Sequence, residues 1–360
     1  MKTSWILSAL GSFAIALAMA SSTLAATANF DFSTTGVGGL LDKDGQSTGL
    51  TARLSGTGTS LAASDPNIDI DTAAGKLRIT TGNGIGVGAN QDFNGSAGLD
   101  TLEAVGLNLS SLGYTGSQNF IVTATFDALT PTASFDQAGI FIGQDALNLT
   151  KAGHITFSAQ EYFSGHTTGA AAPAADNNGR FFGFGFNGAD GMNVTITRFG
   201  GDWRYFIDGL EWQPNTDGGG NGTPVDPTGA FGSPNLQALS DLTVGVFAIN
   251  VVNTVSEVVT VDNFRVIVDP IVGDANGNGT PGPEDFTLIS NNLFNNVIPG
   301  LNGDVTFDGF VGYDDFRLWK SVAPLSALRA VGLAVPEPAT LSLVVMALCG
   351  VTLQGRRNRR

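Results

Sequence analysis

The chain has 360 residues, with 17 Lys or Arg against 32 Asp or Glu and a single cysteine, Cys349. An intramolecular disulfide is excluded, and a formal net charge of -15 argues against nucleic acid or anionic lipid as partners. The length suits two domains at roughly 150 residues each, and 49 glycines with only 14% charged residues suit an exported all-β protein better than a helical enzyme.

Residues 1–25 have the form of a signal peptide: Lys2, the apolar run WILSALGSFAIALAMA, then small residues up to Ala25. From Asn29 to about Val268, short apolar runs alternate with Gly, Asn, Asp and Pro clusters. Strands are expected over 76–81, 119–129, 137–143, 154–159, 179–188, 192–200, 203–209, 242–250 and 258–268. No long segment has a helical period. Many short strands separated by turns point to an antiparallel β-sandwich of jelly-roll type over residues 27–270.

Within this region MNVTITRFGGDWRYFIDGLEW reads as a hairpin whose second strand ends at Asp208-Gly209. The hairpin, together with FDQAGIFIG and VTVDNFRVIV, resembles the concanavalin A-like lectin/glucanase (laminin-G-like) superfamily. The resemblance implies a two-sheet antiparallel jelly roll, often with a glycan site on the concave face or its rim. Sugar contact would use aromatics beside polar groups: Tyr162, Phe163 and Trp212 near loops, and Trp203 and Tyr205 on one face of a strand. The competing reading places Trp203 and Tyr205 in the core, where large aromatics usually lie.

Catalysis has little support. A retaining glycosidase needs two carboxylates about 5 Å apart, and glucanases of this fold supply them as Glu-x-Asp-x-x-Glu, which is absent. Glu161 and Glu211 are isolated, Glu103 lies in GLDTLEAVG, which reads as a loop or short turn, and Asp136 precedes a strand. His154 and His166 lack partners at zinc-ligand spacing.

Beyond the strands, DANGNGTPGPED (274–285) recurs thirty residues later as DVTFDGFVGYDD (304–315). Loop positions 1, 3, 5, 7 and 12 are Asp274, Asn276, Asn278, Thr280 and Asp285 in the first copy. In the second they are Asp304, Thr306, Asp308, Phe310 and Asp315. Gly279 and Gly309 stand at position 6, Gly273 and Gly303 precede the loops, and Phe286 and Phe316 follow them. Calcium takes 6–8 oxygens from such flexible loops: side chains at 1, 3, 5 and 12, a backbone carbonyl at 7, and a sharp turn at 6. The repeats resemble dockerin type I modules, which use a loop and one helix with Asp at position 12. Residues 272–322 are therefore expected to be a small α-helical module with two Ca2+ loops. In that family the module plugs into a cohesin; here it could instead stiffen the chain against the sandwich. Loop two, with three ligand carboxylates against two, is expected to bind more tightly.

A linker is expected over 323–334, followed by a tail at 335–360: Pro336-Glu337-Pro338, an apolar run and four arginines. This order resembles the PEP-CTERM sorting signal, which implies a transmembrane segment, processing by an exosortase-type enzyme and delivery to the cell surface. A plain C-terminal membrane anchor is the alternative. The combined expectation is a secreted, surface-sorted, non-catalytic protein binding polysaccharide or matrix glycan. A glycoside hydrolase recruited through its dockerin and a purely structural matrix protein are the alternatives.

Overall fold

The computed structural model describes residues 25–53, 64–81, 102–127, 137–145, 148–156, 160–168, 181–184, 191–211, 240–249 and 258–333. The signal peptide, Trp212 and the sorting tail with Pro336, Glu337 and Pro338 lie outside these residues.

Two antiparallel sheets form the larger unit. The first runs β13 (Leu210–Glu211), β12 (Asp202–Ile207), β11 (Met192–Phe199), β6 (Phe120–Phe126), β15 (Val258–Val268), β4 (Lys76–Thr80) and β3 (Ile68–Asp71). The short strand β1 (Ala26–Phe30) also pairs with β15. The second sheet runs β10 (Phe181–Phe184), β9 (Gln160–Thr168), β8 (Asn148–Thr156), β7 (Gln137–Asp145), β14 (Thr243–Ile249), β5 (Leu102–Asn108) and β2 (Ala52–Arg53). The mainly β, antiparallel architecture is thus as expected from the alternating runs.

Side-chain alternation builds one core between the sheets. Phe120, Val122, Ala124 and Phe126 of β6 meet Ile140 and Ile142 of β7 and Val244, Val246 and Ala248 of β14. Trp203 and Tyr205 belong to this core and are fully buried. Trp203 packs edge-on against Phe120, ring centroids 5.2 Å apart, and the Tyr205 hydroxyl lies 2.6 Å from Thr150 Oγ1 on the opposite sheet. Neither ring can stack on a sugar without leaving the core, so both are structural and not ligand contacts.

The β11–β12 hairpin forms where it is expected. Phe199 pairs with Asp202 across Gly200-Gly201, both at positive φ (61° and 100°), the backbone of a two-residue primed turn. A second such turn follows at once: Asp208 (φ 52°) and Gly209 (φ 75°) join Ile207 to its partner Leu210. Glu103 lies within β5 rather than in a loop.

The C-terminal module holds three helices, α1 (Pro283–Asn291), α2 (Tyr313–Val322) and α3 (Leu325–Ala330). Helix α3 falls in the segment expected to be a linker. Its Ala327 and Leu328 are buried with Ile289, Val305, Val311 and Trp319, so the module extends to residue 333. The correction has a simple origin: Leu325 to Leu333 is too short to show a helical period, and only the neighbouring helices supply the apolar surface it covers. Among the described residues, no helix is long and apolar enough to cross a membrane.

Candidate metal centre

The two loops share most of their backbone bonding. At position 1, Asp274 accepts the N–H groups of Asn278 and Gly279 (3.0 and 2.7 Å), and Asp304 accepts those of Asp308 and Gly309 (3.3 and 2.8 Å). At position 5, Asn278 Oδ1 accepts the Thr280 N–H and Asp308 Oδ1 accepts the Phe310 N–H. At position 12, Asp285 bonds the amides of Asn276 and Gly282, and Asp315 those of Thr306 and Gly312. Position 12 is also the third residue of α1 and of α2, where its carboxylate accepts the N–H of the N-cap glycine, Gly282 or Gly312. The same side chain thus starts the helix and closes the loop.

Backbone geometry enforces this closure. Gly279 and Gly309 at position 6 have φ of 95° and 82°, a region where L side chains are strained. Position 4 is left-handed in both loops too: Gly277 at φ 72° and Phe307 at φ 64°. A non-glycine residue there stores strain on the order of 1 kcal/mol.

The two repeats brace one another. Phe286 and Phe316 both pack on the Trp319 ring, at 5.3 and 6.4 Å. Trp319, fully buried on α2, donates its indole N–H to the Gly282 carbonyl of loop one at 3.0 Å. Ile289 is buried at the equivalent place on α1.

The module's own cations, Arg317, Lys320 and Arg329, make no ion pair with the buried loop acids. Asp274, Asp285, Asp304 and Asp315 are all buried, and among the described residues none is ion-paired to a lysine or arginine. Burial pushes the Asp285 carboxyl above its usual range. Burial, with Asp315 and Asp308 beside it, pushes Asp304 up to about 7. Arg265 and Arg204 act on Asp274 and Asp304 only at longer range. Four buried acids without a direct ion pair fit a bound cation, and the neutral oxygens of Asn276, Asn278 and Thr306 fit a hard one such as Ca2+. Thr306 stands between two of the acids, its hydroxyl 3.2 Å from Asp304 Oδ1 and 2.9 Å from Asp315 Oδ1.

A tighter acid group lies elsewhere. Among the described residues, Asp42, Asp44 and Asp69 are the three acids whose oxygens all fall within 4.8 Å of one another. Their charge is already answered. Lys43 pairs with Asp44 and Asp69, Arg78 pairs with Asp69, and Asp42 holds the amides of Asp44, Gln46 and Ile70. Asp304, Asp308 and Asp315 of loop two do not all fall within that distance of one another, and the Thr306 hydroxyl stands between Asp304 and Asp315.

The module sits on the outer face of the first sheet. Phe307 packs with Ile121 of β6 and Ile267 of β15, and its ring stacks on Phe199 of β11 at 4.2 Å and 16°. Arg204 of β12 donates to the Phe307 carbonyl at 3.3 Å while its fork grips Glu211 at 2.8 and 2.5 Å. This seat explains β6, whose residues 120–124 are buried on both faces where a half-covered antiparallel strand would alternate. It also disposes of Glu211, which is bound to Arg204 and so is poorly placed to act as a proton donor. Phe307 and Arg204 are not marked in the sequence; the one available signal is a phenylalanine where the first repeat has glycine.

As for the proposed sugar contacts, Tyr162 lies on β9, its backbone paired with His154 and Gly183. Trp212, beyond the end of β13, is outside the described residues.

No protein-family model and no curated protein matches the chain. Solved structures with partial likeness are glycosidase-like β-sandwich folds and proteins without assigned function. The GH43 protein BlXynB from Bacillus licheniformis is 17% identical over 66% of this chain, with a TM-score of 0.39. The match spans only 39% of BlXynB. A functionally unknown protein from Saccharomyces cerevisiae is 18% identical over 57% of this chain and 93% of its own, with a TM-score of 0.38. A non-specific endo-beta-1,3(4)-glucanase of family GH16, SCLam, is 12% identical over 56% of this chain and 77% of its own, with a TM-score of 0.35. At such identities and TM-scores these likenesses carry no argument about activity.

Proposed function

We propose that this is an exported, surface-sorted protein whose β-sandwich binds polysaccharide or matrix glycan and whose C-terminal module is held in shape by two Ca2+ ions. The observation that carries the calcium reading is the pair of loops with one bonding pattern, enclosing four buried carboxylates that have no ion-pair partner among the described residues. Asp274, Asn276, Asn278, Thr280 and Asp285 would hold one ion. Asp304, Thr306, Asp308, Phe310 and Asp315 would hold the other, Thr280 and Phe310 through their carbonyls. The module's seat on the first sheet supports a role within the chain over capture by a cohesin. Export, membrane anchoring before processing, and exosortase-type sorting rest on the two end segments.

A non-catalytic role is supported by the absence of a glucanase carboxylate motif and by Glu211 being committed to Arg204. Calorimetry on the whole chain should show two calcium sites, and a glycan array should show retention of a polysaccharide. Release of reducing sugar from any retained polysaccharide would replace the binding role with a hydrolase. An array without any binder would leave a structural matrix protein.

A further inference from the structure

Phe307 stands at the meeting point of the metal loop and the sandwich. It occupies position 4 of loop two, where the backbone must be left-handed (φ 64°), and the first loop meets the same demand with Gly277 (φ 72°). Loop two accepts the strain, and the side chain gained is the one that reaches the first sheet. Its ring lies on Phe199 at 4.2 Å and beside Ile121 and Ile267. Its carbonyl takes Arg204, and its N–H is held at 2.7 Å by Asp304, the position-1 carboxylate. The neighbouring residues repeat the arrangement. The Gly309 N–H is bound to Asp304 Oδ2 at 2.8 Å, and a Cβ on Gly309 would come within 2.8 Å of the Phe206 ring on β12. Thus Asp304 holds two consecutive contact points through their own amides.

The first loop touches the sheet differently. A Cβ on Gly277 would lie 2.0 Å from the Arg265 guanidinium of β15, so a charged side chain rests on bare backbone and no ring is inserted. Only loop two therefore has its metal-facing carboxylate and its docking side chain joined by one hydrogen bond.

We propose that calcium in loop two and docking of the module on the first sheet are a single coupled equilibrium, with Phe307 as the latch and Arg204 as its positioning residue. The inference rests on the calcium reading of the loops. With the ion bound, Asp304, Asp308 and Asp315 are drawn together and the 307–309 backbone is fixed in its docked shape. Without it, the three carboxylates repel, Asp304 releases the Phe307 amide, and the left-handed residue relaxes by withdrawing its ring. Reciprocity then requires that docking tighten calcium as much as calcium tightens docking.

The test is calorimetry on the whole chain carrying Asp285→Asn, which silences loop one, together with hydrogen exchange of the 304–310 segment with and without EDTA. Phe307→Ala removes no oxygen, yet it should weaken loop-two calcium about tenfold, and Arg204→Lys, which keeps the positive charge near Asp304 and Asp308 but loses the fork, should weaken it by a smaller factor. EDTA and Phe307→Ala should each free the 304–310 amides. Phe307→Gly separates backbone strain from docking: it relieves the strain but has no ring, so its affinity should stay low. Recovery to the parental affinity in Phe307→Gly, or unchanged affinity in Phe307→Ala, would overturn the coupling while leaving the calcium sites standing. If the parental protein binds no calcium, the loop reading itself fails. In that case, exchange that rises in Phe307→Ala but not in EDTA would show docking without metal control, again overturning the coupling.

Discussion

The sandwich and the C-terminal module both bury acids, and they differ in what answers the charge. In the sandwich, the fully buried Asp65 meets Arg53 Nη1 at 2.5 Å and the half-exposed Asp127 and Asp262 share Lys76 at 2.9 and 2.6 Å, whereas the buried Asp42 is held by the amides of Asp44, Gln46 and Ile70. The module buries Asp274, Asp285, Asp304 and Asp315 together, held by backbone amides and the Thr306 hydroxyl and with no ion pair among the described residues. A large two-sheet core supports its own folded state through apolar area, with ion pairs as local fittings. A module of three short helices has a much smaller core, and the proposed ions would offset the electrostatic cost of its buried acids. On the proposed calcium reading, the first unit is complete as a polypeptide and the second is complete only with its ions.

The widest separation between the two should come from chelation. Saturating calcium at about 1,000 times its dissociation constant adds about 4 kcal/mol to whatever it binds. In scanning calorimetry, EDTA should therefore lower the module transition, residues 270–325, by more than about 10 °C while the sandwich transition moves far less. Equal shifts would erase the distinction, and no shift would remove calcium from the account.

Next in size is an ion-pair deletion in the sandwich. Arg53→Met leaves Asp65 buried without its cation and should destabilise the sandwich by about 3 kcal/mol. Urea denaturation checks this, and the module's melting in calcium should be unaffected. A loss below about 0.5 kcal/mol would mean that Asp65, like the loop acids, is content with amides alone.

Acidity should then drive the two units in opposite directions. Burial holds His154 down to about 4 from an ordinary value of 6.5, so between those limits the unfolded chain binds a proton that the native chain refuses. Sandwich stability should fall as pH drops through that window, by up to about 1.4 kcal/mol per unit. Asp304 is shifted the other way, from 3.8 up to about 7, so in EDTA the native module holds a proton that the unfolded chain releases. The metal-free module should be most stable near pH 4 and weaken as pH rises toward 7. Melting curves in EDTA at pH 5 and pH 7.5 would show the crossing; parallel trends would refute it.

The smallest difference lies within the module. Loop two offers three ligand carboxylates and loop one offers two. Asp285→Ala, which leaves loop two, should retain a severalfold tighter site than Asp315→Ala, which leaves loop one. Calorimetry giving equal or reversed affinities would break the ranking.

How much was readable in advance follows from the length scale of each signal. Strands with β-branched and aromatic alternation, such as β6, β11, β14 and β15, were legible because both period and turn residues are local. Strand β5 was hidden by Glu103 and Gly106, and β9 by its polar run QEYFSGHTT, because their places are set by partner strands and not by their own composition. Strand β8 was expected from 154 but begins at Asn148, since its register follows β7. The loop ligands could be read from a thirty-residue repeat, whereas the two candidate sugar-contact aromatics Trp203 and Tyr205 needed the opposite sheet to show that their shared face is the core.

The sequence by itself determined the β-rich body, the two-glycine hairpin and the paired oxygen-bearing loops, because each depends on residues close together in the chain. The tertiary structure alone decided that β6 is covered on both faces, that Leu325–Ala330 is a helix and that Phe307 spans from the second loop to a sheet. Those outcomes depend on apolar surface brought together from distant segments, and burial of such surface leaves no periodic trace in either segment alone.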